Sequence, residues 1–222
     1  MSAVCSHTLI EIPVGQRAMG GILFVPPQAG ALVVFIHECD STSNISPLNR
    51  LVARSLLDLG FAILQPDLKD WTAEHAGGAA WDDTDELLKS AKRLSAIIDW
   101  LGDNPATCGL PLGLFATGSG AAAAMMAAAL RPSRVRAVVT HDGRSDLAAD
   151  LLAEVQAPTL MLIGSRNQVC IDHNRHASEQ MRCKPVLKLI QGATQLFVEP
   201  GKLEQVASMS YHWFQRTLTV SV

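Results

Sequence analysis

Hydrophobic and polar positions along the chain alternate between two periods, and the switches mark its elements. Thr8–Val14 and Ala18–Val25 read as two short strands joined at Gly15, an antiparallel pair at a sheet edge, with Pro26 and Pro27 ending the second. Ala31–His37 is a continuous apolar run rich in valine, the pattern of a strand buried on both faces of a parallel sheet. Phe61–Leu64, Leu112–Ala116, Val135–Thr140, Thr159–Ile163 and Val186–Ile190 read as further short strands. Between them the spacing becomes helical. Ser46-Pro47 opens a helix that ends near Leu59-Gly60, in the favoured order of cap and first-turn proline. Leu87, Leu88, Ala91, Leu94, Ile97, Ile98 and Leu101 share one face of a long helix, with Asp82, Asp83, Asp85 and Glu86 at its start, where negative charge suits the dipole.

Further helices are predicted over Ser119–Leu130, around Leu147–Val155, over Asp172–Met181 and over Lys202–Thr217, the last with a docking stripe of Leu203, Val206, Ala207, Ser210, Trp213 and Phe214. Lys69–Trp81 has little periodicity and reads as a surface loop. Strands and helices alternating at these lengths predict a doubly wound α/β fold, a mostly parallel central sheet with helices on both faces. No repeat, linker or low-complexity segment divides it, so residues 1–222 are expected to form one domain.

Composition narrows the function classes. With 48% hydrophobic residues, 222 residues suit one sizeable core. A formal charge of −3 with scattered basic residues leaves no footprint for nucleic acid or anionic lipid, so neither is expected as a partner. No apolar run reaches the length of a bilayer span, and Met1–His7 lacks the pattern of a signal peptide. Five cysteines, odd in number and without a CxxC pair, fit a reduced protein of the cytoplasm.

In sheets of this kind ligands sit beyond the carboxyl ends of the strands. That places the candidate crevice at His37, Glu38, Cys39 and Asp40, at Thr117 and Ser119, at His141 and Asp142, and at Gln195. The stretch Gly113–Ala124 draws most attention. An apolar strand enters a glycine-rich turn, Thr117-Gly118-Ser119-Gly120, which opens directly into an alanine helix. This is the local shape of a nucleophile elbow, the turn that presents a catalytic side chain at the end of a central strand.

Phe35-Ile36-His37, this elbow, Leu160–Gly164 and Gly192-Ala193-Thr194-Gln195-Leu196-Phe197 follow one another as landmarks. In that order they resemble an α/β-hydrolase, and within that fold the small, capless dienelactone-hydrolase-like group. The resemblance implies a single-domain α/β-hydrolase fold without a large cap, and a nucleophile, acid and histidine at fixed places. Gapless alignment puts Gly118 at the nucleophile position, Asn167 at the acid and Gln195 at the histidine. Glycine carries no nucleophile, and neither amide side chain can replace an acid or a base near neutral pH. Glu38 after His37 resembles a His-Glu pair of dienelactone hydrolases, where the carboxylate lies beside the nucleophile.

The expectation is therefore a protein of this fold with a degenerate triad, a pseudoenzyme that binds a small-molecule ligand or a protein partner at the former crevice. The alternative is an active hydrolase of a small ester or lactone. Its nucleophile would be Ser119, by a one-residue shift of the turn, or Cys39, assisted by His141 or His37. On the first view Ser119 simply begins the helix, its hydroxyl capping a backbone N–H. His37, Cys39, Asp40 and His141 match no metal-ligand spacing, so neither metal nor cofactor is expected. His173 and His176 are expected to be solvated on an exposed helix.

Overall fold

The computed structural model describes residues 6–15, 17–36, 46–66 and 84–219. The candidates His37, Glu38, Cys39 and Asp40, the expected loop 69–81 and the acidic pair Asp82 and Asp83 lie outside them. Among the described residues eight strands form one sheet, in the order β1-β2-β4-β3-β5-β6-β7-β8. They are β1 (Ser6–Val14), β2 (Arg17–Val25), β3 (Ala31–Ile36), β4 (Phe61–Pro66), β5 (Leu112–Gly118), β6 (Val135–Gly143), β7 (Thr159–Gly164) and β8 (Val186–Ile190). β1 and β2 form the expected antiparallel edge pair, β2 lies antiparallel to β4, and every pairing from β4 to β8 is parallel.

The sequence pattern explains this arrangement. β3 is buried along its whole length, so it must be covered on both faces. Its residues alternate between two cores. Leu32, Val34 and Ile36 pack with α2 (Thr84–Asp103) and the alanine helix α3 (Gly120–Leu130). Ala31, Val33 and Phe35 pack with α1 (Pro47–Asp58) and α5 (Lys202–Leu218). α1 begins as its sequence dictates, with the Ser46 side chain accepting from the Asn49 N–H at 3.1 Å and Pro47 in the first turn. α3 is buried on every side, because it is wedged between the sheet, α2 and the segment after β6. Its buried positions, from Gly120 to Ala128, are one glycine, six alanines and two methionines.

Three elements depart from expectation. β6 continues three residues beyond Thr140 to Gly143. The segment around Leu147–Val155 is a 3-10 helix over Ser145–Glu154, interrupted at Ala149, whose φ is +46°. α4 (Gln168–Gln180) starts four residues before Asp172, because the Asn167 side chain caps it by accepting from the Cys170 N–H at 3.2 Å. His173 on this helix is half-buried rather than solvated, while His176 is exposed and bonded to Gln180.

Candidate functional site at the strand ends

β5 delivers the elbow. Its final residue, Gly118, has φ +56°, a left-handed conformation that glycine adopts freely and other residues pay for in strain. Ser119, the next residue, is already α-helical at φ −67° and ψ −23° and is only 3% exposed. Its side chain makes no capping hydrogen bond, so the expected hydroxyl cap on the helix is absent. The Gly118 carbonyl accepts from the Arg144 N–H at 2.8 Å, which fastens the turn to the end of β6.

The end of β6 is irregular at the same level. Thr117 pairs with His141 and Gly118 with Gly143, so Asp142 is an extra residue bulged out of register, with φ +40°. The two residues at this bulge, His141 and Asp142, occupy different surroundings. His141, 6% exposed, lies against Phe115 at 5.1 Å and Phe197 at 6.0 Å between ring centroids. Among the described residues its Nε2 finds no hydrogen-bond partner, and burial pulls its pKa down to about 4.

Asp142, 5% exposed, turns toward β7 and α4. One carboxylate oxygen accepts from the Gly164 N–H at 3.3 Å and, at the limit of hydrogen-bonding distance, from Asn167 Nδ2 at 3.5 Å. The other oxygen is buried and finds no partner among the described residues. Burial pushes the carboxyl up to about 7, against the pull of Gly164, Cys170 and Asn167. Beside it, burial and the Asp142 charge push the Cys170 thiol up to about 12. Asn174, one helical turn after Cys170, donates to the Gly143 carbonyl at 2.7 Å and to the Cys170 carbonyl at 2.9 Å.

The third member of the expected set stands apart. Gln195 is exposed on the loop between β8 and α5. That loop is held against the turn after β7. Arg166 N–H donates to the Ala193 carbonyl at 3.0 Å, and Gly192 N–H to Ser165 Oγ at 2.8 Å. A Cβ on Gly164 would fall 2.4 Å from the Thr194 carbonyl oxygen, so only glycine allows the two loops this contact. The structure thus brings Thr117, Gly118, His141, Asp142 and Asn167 to one end of adjacent strands, with Gln195 on the neighbouring loop. Among the described residues, no three histidine, cysteine, aspartate or glutamate side chains gather as a metal site. Cys170, Asn174 and the Phe115–His141–Phe197 contact were not foreseen. The Cys170–Asn174 pair has the i,i+4 signature of a helix face, but the late helix start hid it.

An eight-stranded sheet in this order, with a glycine-rich elbow after β5, defines an α/β-hydrolase fold. The sequence profile of the dienelactone hydrolase family matches residues 19–216. The chain belongs to that family. It is 36% identical to a dienelactone hydrolase from Anabaena variabilis, with a TM-score of 0.86 over 96% of this chain and 99% of that one. Est1E from Butyrivibrio proteoclasticus shares the fold at 16% identity, with a TM-score of 0.75 over 96% and 99% of the two chains. Proteins of two Mycobacterium tuberculosis strains, provisionally named phosphoribosyl transferases, are 42% identical over 205 residues. That match takes in 92% of this chain and 45% of theirs, so the chain spans under half the length of these relatives. No described helix is long and apolar enough to cross a membrane.

Proposed function

We propose that this dienelactone-hydrolase-family protein binds at its former active-site crevice and does not hydrolyse. One observation carries the reading. The residue in the left-handed turn at the end of β5 is Gly118, and Ser119 lies one step into the helical conformation. In an elbow the strained residue is the one that presents the nucleophile, so glycine leaves the tip without a reacting atom. Asn167 and Gln195 at the acid and histidine positions agree with this. Asn167 has another task, capping α4 beside a buried carboxyl.

The work left to such a site is to hold a small molecule or a protein. The name and length of the Mycobacterium tuberculosis relatives favour the protein, a phosphoribosyltransferase partner beside which this fold acts. We place the pair in the cytoplasm, in keeping with the unbridged Cys108, Cys170 and Cys183.

Turnover of 4-nitrophenyl acetate, 4-nitrophenyl butyrate and simple lactones is the test. Rates should equal those of buffer, be unchanged by Ser119→Ala, and leave Ser119 unlabelled by a fluorophosphonate probe. Turnover that disappears in Ser119→Ala would establish an ester or lactone hydrolase instead.

A further inference from the structure

We propose that the loops following β7 and β8 form the docking face for that phosphoribosyltransferase partner, an inference that rests on the binding reading above. Leu196 at 71% and Val198 at 68% stand exposed on the loop after β8, and Val169 at 65% in the first turn of α4, which follows the turn after β7. They are displayed on rigid backbone. Phe197, between the two most exposed, is buried against His141 with φ +53°, which forces its neighbours outward. Glu199 accepts from the Thr194 N–H at 2.9 Å across the base of the loop, and the bonds from Arg166 and Gly192 join the two loops. A surface already fixed in shape loses little conformational entropy on binding.

The composition also suits an interface. Along the loops the exposed aliphatic residues alternate with polar ones, Arg166 and Gln168 before Val169, and Gln195 and Glu199 on either side of Leu196 and Val198, the mixture of an interface. A stable interface buries about 800 Å² on each partner, so these residues would form its centre. The length of the relatives says what covers it. More than half of each relative's chain lies outside the matched segment, in proteins named for phosphoribosyl transfer. A companion tethered to this fold meets it at very high local concentration, and a preformed apolar face is where it would settle.

The test uses the full 222-residue chain and the part of the Mycobacterium tuberculosis relative that it does not match. Titration calorimetry should detect binding between the two. Leu196→Ser with Val198→Ser should weaken it at least about tenfold, with the melting temperature unchanged, because both side chains are solvent-exposed. Leu9→Ser, on the opposite sheet edge, should leave it unchanged.

In a second arm this chain replaces the matched segment within the relative, so that tethering makes even weak docking register. Hydrogen exchange at residues 166–169 and 192–199 should then slow at least about tenfold relative to the isolated chain. Unchanged exchange there overturns the proposal, as does binding indifferent to the double substitution or self-association through these loops. Each of these results leaves the non-catalytic reading standing. Ester turnover with docking intact removes the non-catalytic reading alone.

Discussion

His141 and Asp142 are consecutive and buried, and burial moves their titrations in opposite directions. The folded imidazole is neutral down to about pH 4, against an ordinary value of 6.5. Unfolding therefore takes up a proton between these values, and stability rises with pH across that window. The folded carboxyl is neutral up to about pH 7, against an ordinary 3.8. Unfolding there releases a proton, and stability falls as pH rises from about 4 to 7. Each slope is at most about 1.4 kcal/mol per pH unit, so from about pH 4 to 6.5 the two cancel. Chemical denaturation at pH 4.5 and 6.5 should show this. Asp142→Asn should gain stability with rising pH and His141→Phe should lose it, with the unsubstituted chain between them. Parallel slopes in the two variants would refute the pairing. The sequence placed both residues at a strand end. It could not show the bulge that sends them into different surroundings, because a bulge depends on the neighbouring strand's register.

Among the elements, α4 gives Asn167 a structural task, as its N-cap. Asn167→Ala removes the cap and should cost about 1 kcal/mol, lowering the melting temperature by roughly 2–4 °C. Asn167→Asp keeps a capping oxygen but sets a second carboxylate beside Asp142, and like charges at that range cannot both ionise cheaply. That variant should be least stable above pH 7, and Asp142→Asn in the same chain should restore it. A loss at pH 8 that Asp142→Asn does not repair would show that the two side chains are uncoupled. The strands were legible almost residue by residue, since buried parallel strands announce themselves as unbroken apolar runs. Element starts set by capping were less so. Ser46-Pro47 declares itself through its proline, whereas Asn167 stands five residues before the predicted helix start at Asp172.

For the molecule as a whole, the α/β-hydrolase frame was legible because each of its landmarks is a local pattern, and their order along the chain fixes the topology. The candidate site was legible only in part. The elbow frame depends on one residue's backbone angle, which the sequence leaves open between Gly118 and Ser119. If that frame carries the chemistry, Gly118→Ser, Asn167→Asp and Gln195→His together with Asp142→Asn should bring esterase activity above that of the unsubstituted chain. A folded quadruple variant without any gain would show that more than these positions separates the protein from an active hydrolase.

Gly118 also has an evolutionary consequence. Any side chain at φ +56° is held in strain of about 1–2 kcal/mol, which glycine does not incur. On the proposed reading, losing the nucleophile relaxed the fold. Regaining it would begin with a destabilising step that restores no activity until the acid and histidine follow. The turn is then a ratchet, and descendants of this protein should diversify as binders more readily than they revert to hydrolases.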